Sequence, residues 1–346
     1  MPNSEIQRFD HPAAWQTADF PDKDAIAVDL EPRHIDAMLA VLTDDRRPDV
    51  DDQPATRAGY PLAAIAEDVA DWTRVVQHGR GLLLLRGFPV NAVNLTDLRQ
   101  IYLALGSPFG RPVSQSAMGD LVGDVVDVGG TDRRERAYRN SRELNLHTDR
   151  CDIIGMLCIR PAARGGLSGY ASALTIHNRM LAERPELLAS LYRGYFHHRF
   201  GEQLPGEPPV TSDRIPIFSV TDGVPSVIYI RGYIDLAVEE GHVKLSDDEH
   251  DALDLMDSIA NRPDVRLDFR MEPGEICFVN NCLVLHTRTA FEDAADPGLK
   301  RHLMRLWLRQ DDRPMAPGVA LHKGSAGILK QAGKGTYYVP PVETVR

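Results

Sequence analysis

Three side chains set the chemistry this chain can attempt. His147 and Asp149 lie two residues apart in Leu144-Asn145-Leu146-His147-Thr148-Asp149, and His286 stands far downstream behind an apolar run. Two imidazoles and one carboxylate form the ligand set that holds non-haem Fe(II) while leaving coordination positions open for a co-substrate and O2, so the chemistry in prospect is oxidative. On a strand, residues i and i+2 share a face roughly 6 to 7 Å apart, and His147 and Asp149 can converge on one ion. The third ligand must come from a neighbouring strand, and His286 fits because it follows Ile276 to Leu285, a strand-like run opened by the Pro273-Gly274 turn. The triplet alone is a weak signal, equally compatible with a turn histidine and a capping aspartate. His34-Ile35-Asp36 has the same spacing but sits in an amphipathic helical segment, where positions two apart face different ways, and reads as surface.

A pair of arginines downstream of His286 strengthens the metal reading. Arg301-His302-Leu303-Met304-Arg305-Leu306-Trp307 reads as a strand whose odd positions share a face, which turns two guanidiniums inward beside Leu303 and Trp307. Inward arginines demand anions: a charge-assisted pair with a carboxylate contributes about 1.5 to 3 kcal/mol, and an unpartnered one is strongly destabilising. A spacing of four residues separates the two backbones by roughly 13 Å, so they can serve different groups. A buried ion pair would account for one arginine and is the weaker account of both.

The elements that must position these residues are short. Apolar residues recur at helical spacing from Arg33 to Leu42, from Ala64 to His78 and from Leu95 to Leu105, while Leu82 to Leu85 reads as a buried strand. From Arg111 to Glu143 the chain turns Gly-rich and charged, with Gly129-Gly130-Thr131-Asp132-Arg133-Arg134-Glu135-Arg136 unable to make an apolar face of either period, and is a candidate lid. Short apolar runs come next at Ile153 to Ile159, Tyr170 to Ile176, Ile215 to Val220, Val227 to Ile230, Ile276 to Leu285 and Leu303 to Leu308, with helical pieces near Met180 to Tyr192 and Asp247 to Ala260. That spacing predicts a mostly β protein, a sandwich or jelly-roll barrel with flanking helices. Gly165-Gly166 reads as a hairpin turn, and His197-His198 cannot share a metal because adjacent strand residues point apart.

The residues at 144 to 149, at 173 to 178 (Ala-Leu-Thr-Ile-His-Asn), at 280 to 291 (Asn-Asn-Cys-Leu-Val-Leu-His-Thr-Arg-Thr-Ala-Phe) and at 301 to 307 together resemble the TauD/TfdA group of Fe(II)- and 2-oxoglutarate-dependent dioxygenases, with relatives of clavaminate synthase. The resemblance covers roughly residues 81 to 309. It implies a double-stranded β-helix (jelly-roll, cupin-like) core at 81–310 within a single oxygenase domain, with 1–80 a helical elaboration, 111–143 the lid and 311–346 a tail. It implies that His147, Asp149 and His286 bind iron, that Arg301 and Thr175 take the distal carboxylate of 2-oxoglutarate, and that Arg305 lies near the iron, touching the co-substrate or an anionic substrate group. Asn281 and Arg288 fix the ligand loop. A carboxylate at 149 argues for hydroxylation rather than halogenation. The reaction implied binds 2-oxoglutarate and O2, releases succinate and oxidises a substrate. Cys151 and Cys282 are near enough in sequence to the ligands to be oxidised by a misfiring iron centre.

For the substrate, Glu143, Asn145 and Arg305 are the candidates, with Gln115, Asp132, Arg133, Arg134, Arg136, Arg139 and Arg142 on the approach; a zwitterion such as an amino acid or betaine suits Glu143 plus an arginine. Each of these also reads as a solvated mixed-charge loop residue. A JmjC-type protein demethylase shares the ligand pattern but usually anchors its co-substrate with a lysine, and a non-catalytic or zinc-loaded metabolite-binding barrel accepts the same ligands. Composition narrows the rest. The 346 residues, 43% hydrophobic, can bury a sizeable core, and 50 acidic against 39 basic residues, a net charge of -11 with no basic block, make nucleic acid a poor partner. The apolar run at 82 to 85 is too short to span a membrane, and the amino terminus lacks a basic start with an apolar core, so a cytoplasmic protein is expected. Four cysteines without a C-x-x-C pair read as reduced and buried. The expected partner is a small-molecule substrate, and a homo-oligomer is left open.

Overall fold

A computed structural model describes residues 6–44, 62–129 and 135–335. The larger of its two main sheets contains β1 (Ala27–Asp29), β2 (Leu82–Arg86), β3 (Arg111–Pro112), β4 (Val122–Val125), β6 (Ile153–Arg160), β12 (Ile276–Asn280) and β15 (His302–Arg309), in the order β1-β2-β12-β6-β15-β3 with β4 also on β15. The smaller sheet runs β11-β8-β13-β5, from β5 (Leu144–His147), β8 (Ser168–Ser172), β11 (Arg266–Phe269) and β13 (Val284–Arg288). Two ribbons complete the strands: β7 (Arg164–Gly165) with β14 (Phe291–Glu292), and β9 (Phe218–Thr221) with β10 (Val224–Val227). The chain is mostly sheet with helices around it, as the spacing predicts.

Burial explains why the strand runs are apolar at every position. Leu83 and Leu85 of β2 pack against the helices α1 (Pro32–Ala40), α2 (Ala66–Gln77) and α3 (Leu95–Gly106), whereas Leu82 and Leu84 face a second cluster containing Trp15, Tyr170 and Val284. Each face of the strand therefore meets an apolar layer, and alternation disappears. Helices α4 (Ala173–Glu183), α5 (Pro185–Arg193) and α7 (Asp247–Ala260) form a third cluster with Ala171 and Leu285 of the smaller sheet, and α6 (Arg231–Glu239) joins it through Ile234. The start of α7 is set by Ser246, whose hydroxyl accepts from Glu249 N while Glu249 reaches back to Ser246 N.

Several features differ from the sequence expectations. The run at 170 to 176 is not one strand: β8 ends at Ser172, whose hydroxyl accepts from Thr175 N at 3.0 Å and starts α4. The run at 276 to 285 is two strands in different sheets, turned at 281–283. The candidate lid at 111–143 contains the short strands β3 and β4, both paired with β15 and so part of the larger sheet; Asp132, Arg133 and Arg134 lie outside the described residues. The amino-terminal part supplies strand β1 as well as helices, and the tail carries α8 (Pro317–Lys323), with Lys323 completely buried. His34 is buried rather than on the surface, its Nδ1 accepting from Glu31 N at 2.9 Å at the start of α1.

Gly165 and Gly166 both adopt φ +68°, and a Cβ at Gly165 would lie 2.2 Å from the Ala290 carbonyl oxygen, so glycine is required. Their turn carries the chain from β6 in one sheet to β8 in the other. Among the described residues, no helix is long and apolar enough to cross a membrane.

Candidate metal and co-substrate site

The site is assembled by cross-strand pairing. His147 of β5 and His286 of β13 are direct partners in the antiparallel ladder, with ring centroids 4.3 Å apart. His147 Nδ1 donates to the Asn145 carbonyl at 2.7 Å, which fixes the tautomer and leaves the Nε2 lone pair turned toward the carboxylate. Asp149 lies two residues past β5, and its turn is held by Asn281. That amide accepts from Asp149 N at 2.9 Å and donates to the Asp149 and Cys151 carbonyls at 2.8 and 2.7 Å.

His147 Nε2 is 3.9 Å from Asp149 Oδ1 and His286 Nε2 is 3.8 Å from Oδ2, with the three ligand atoms within 4.8 Å of one another. Metal–ligand bonds of roughly 2 Å each can span that separation. Protonation suits a divalent cation too. Burial pushes His286 down to about 3 and lowers His147, so both rings are neutral; burial alone would raise Asp149, but Arg305 and the two histidines hold it at about 2, ionised. The residues present fit a ferrous ion.

A cavity of about 480 Å³ opens above this cluster. Ile154, Met156, Arg305 and Trp307 line it from the larger sheet, Ser168, Tyr170 and Arg288 from the smaller one, so it lies between the two sheets. Trp307 Nε1 and Arg305 Nη1 both donate to Asp149 Oδ2, at 2.9 and 3.0 Å. Arg305 Nε donates to Gln115 Oε1 at 2.7 Å, and its guanidinium sits 4.4 Å from the Tyr138 ring centroid. Its Nη2 is buried with no partner among the described residues.

Arg301 and Arg288 mark another wall. They lie 5.0 and 4.7 Å from the Phe291 ring centroid, and Arg301 Nη1, Arg288 Nε and Arg288 Nη1 are buried without partners among the described residues. Burial pushes Arg301 down to about 10 and Arg288 to about 9, the latter helped by repulsion from Arg301. Two guanidiniums with unmet donors are the chemical complement of a carboxylate.

Of the residues singled out in the sequence, His147, Asp149, His286, Arg301, Arg305, Glu143 and Asn145 all line this one cavity. Glu143 and Asn145 lie toward the mouth, Glu143 being 4.0 Å from Arg266. Thr175 is not brought there. It sits in α4, and its hydroxyl donates to the Trp15 carbonyl at 2.6 Å. The hydroxyl that does line the cavity with the arginines is Ser168, cross-strand partner of Arg288. Sequence reasoning also missed Tyr138, Tyr233 and the role of Arg136, which bridges the Tyr233 hydroxyl at 2.7 Å, the Gln115 carbonyl at 2.9 Å and Glu202 at 2.8 Å. Nothing in their local pattern marks them, since they converge from separate loops and a helix. His197 and His198 do diverge, toward His322 and toward Glu240.

Comparison with known proteins gives a consistent set of relatives. The family described as "Taurine catabolism dioxygenase TauD, TfdA family" matches residues 49–307. FR-33289 synthase of Streptomyces rubellomurinus is 32% identical over 288 residues, covering 81% of this chain and 84% of that protein. A taurine hydroxylase-like protein of Stachybotrys chartarum is 26% identical over 251 residues, 68% of this chain and 63% of that one. Among solved structures, an asparagine oxygenase superposes with a TM-score of 0.65 at 18% identity, covering 89% of this chain and 99% of its own. The non-heme iron oxygenase OrfP, in complex with Fe and alpha-ketoglutaric acid, does so with a TM-score of 0.60 at 16% identity, covering 82% and 94%. At these identities the structures speak for a shared fold.

Proposed function

The chain belongs to the TauD/TfdA dioxygenase family, and from that premise we propose that it hydroxylates an amino-acid-like small molecule, with His147, Asp149 and His286 holding the ferrous ion. As a member it is an Fe(II)- and 2-oxoglutarate-dependent dioxygenase: bound iron supplies O2 activation coupled to oxidative decarboxylation of 2-oxoglutarate to succinate. We read the two sheets around the cavity as a double-stranded β-helix within one oxygenase domain. The observation that carries the site assignment is the convergence of the three ligand atoms within 4.8 Å in a cavity whose other wall holds arginines with unmet donors.

In this reading Arg301 receives the distal carboxylate of 2-oxoglutarate, with Arg288 and Ser168 beside it. Those buried donors reach full pairing only when the anion arrives. Asn281, bonded to the Asp149 backbone, and Trp307, bonded to its carboxylate, hold Asp149 beside the two histidines that would share the ion, and Tyr138 and Trp307 wall Arg305 off from bulk water. Arg305 Nη2 serves an anionic group of the substrate, and Glu143 at the mouth suits an ammonium, which together describe a zwitterion. Proteins of the same fold have been crystallised with 3-hydroxyasparagine and with hydroxylated arginine, a chemistry of the same class.

The test starts with anaerobic apoprotein given Fe(II) and 2-oxoglutarate. A weak visible charge-transfer band, then succinate on admitting O2, is expected in the parent and should be lost in Asp149→Ala. Folded, iron-loaded protein that yields neither signal overturns the assignment. Amino acids, betaines, sulfonates and aryloxy acids are then screened for faster 2-oxoglutarate turnover; acceleration by none of the amino acids would remove the substrate reading and leave the ligand set standing.

A further inference from the structure

Behind the Asp149 turn lies a second cluster of reactive groups, none of which lines the cavity. Lys323 Nζ of α8 donates to Asp152 Oδ1 at 2.7 Å and to Cys282 Sγ at 3.0 Å, and Cys282 Sγ is 3.7 Å from the same carboxylate oxygen. All three residues are 0% exposed. Asp152 answers the charge of the ammonium, but a thiol is only a weak hydrogen-bond acceptor and does not explain why the amine is held against sulfur.

We propose that Cys282 and Lys323 form a modification site at which O2 joins them covalently through one bridging oxygen, Nζ–O–Sγ. The ammonium first passes a proton to Asp152. The neutral amine and the thiol then combine with one O2 to give the bridge and one water. The S–H bond and one N–H bond break, S–O and N–O bonds form, and sulfur and nitrogen each lose two electrons to the oxygen atoms. O2 is the co-substrate of the enzyme's own reaction, so the oxidant is present whenever the protein works.

The link would tie together the two supports of the metal loop. Cys282 comes directly after Asn281, which holds the Asp149 and Cys151 carbonyls, and the residue before Lys323, His322, accepts from Arg150 Nε at 2.8 Å through its carbonyl. A bridge between 282 and 323 closes a loop of 41 residues and clamps the 149–152 segment from both sides.

Full-length protein purified once in air and once under argon is alkylated, digested with trypsin without reductant and mapped by mass spectrometry. In air a species joining the Cys282 and Lys323 peptides is expected. Its mass is that of the two plus one oxygen less two hydrogens, with cleavage after Lys323 blocked. Dithiothreitol should release it, and it should be absent from protein kept under argon and from Cys282→Ser and Lys323→Gln, but present in Cys158→Ser. Full alkylation of Cys282 with normal cleavage at Lys323 in air overturns the proposal, as does a linked species without the extra oxygen, or Cys282 recovered only as sulfinic acid. Should either cluster variant fail to fold, the comparison of air with argon on the parent protein decides alone.

Discussion

Asp149 has its two oxygens in different roles. Oδ2 receives both Trp307 Nε1 and Arg305 Nη1 and lies 3.8 Å from His286 Nε2, while Oδ1 lies 3.9 Å from His147 Nε2. A carboxylate held in this way has little freedom to rotate beside the two histidines with which it would hold a metal. Trp307→Phe keeps an aromatic ring and deletes the donor, and should weaken Co(II) or Fe(II) binding by roughly tenfold, the lower end for loss of a group that orients a ligand; an unchanged dissociation constant in anaerobic titration would rule out the orienting role. The arginine wall makes a different prediction. Burial depresses Arg301 to about 10 and, with repulsion from Arg301, Arg288 to about 9, and Arg301 Nη1, Arg288 Nε and Arg288 Nη1 have no partner among the described residues. 2-Oxoglutarate or succinate should therefore raise the melting temperature of metal-free protein. Arg301→Met should abolish that rise while leaving the ligand-free protein at least as stable as the parent, since it removes a poorly compensated buried charge. A full ligand-induced rise in Arg301→Met would show that the anion binds elsewhere.

Element boundaries decided what could be read from the sequence. His147, His286 and Arg305 were legible from their places on β5, β13 and β15, whereas Asp149, in the turn past β5 that Asn281 holds, and Arg301, just before β15, were legible from their spacing to those strands. Thr175 was misplaced for the converse reason. Its apolar surroundings, Tyr170 to Ile176, fit a buried strand or the first turn of a buried helix equally well, and the capping hydroxyl of Ser172 settles it as helix. Ser168 stays on β8 and faces the arginines, but the glycines close on either side of it hide the strand pattern. Within the candidate lid, β3 and β4 were not legible because they are too short to show a period and are ordered by pairing with β15. These placements separate two variants. Ser168→Ala should raise KM for 2-oxoglutarate several-fold with little change in stability. Thr175→Ala should leave KM unchanged and cost about 1 kcal/mol through loss of the bond to the Trp15 carbonyl. A KM increase confined to Thr175→Ala would return the hydroxyl role to α4.

Across the whole molecule, the same burial that prepares the site makes the fold acid-sensitive. Four histidines in separate parts of the chain are held neutral by desolvation: His177 down to about 4, His197 and His286 to about 3, and His322 well below its ordinary value. Their folded values are depressed, so the unfolded chain binds protons that the folded one excludes. The stability they contribute is complete above their ordinary value of 6.5 and is lost as pH falls below it, continuing down to about 4 for His177 and about 3 for His197 and His286. Each contributes at most about 1.4 kcal/mol per pH unit. Asp149, held at about 2, loses its contribution only below the ordinary carboxylate range, so it does not confuse the upper part of this window. Urea unfolding of the iron-free protein should thus show stability falling from neutral to mildly acidic pH, with two or more protons taken up on unfolding. His197 packs edge-on against His322 with ring centroids 4.9 Å apart and lines no part of the cavity, so His197→Phe should reduce that uptake by about one proton without touching the ligand set. A stability curve flat over this range would mean that the histidines titrate normally in the folded state, and that the interior behind the metal site is wetter than its packing indicates.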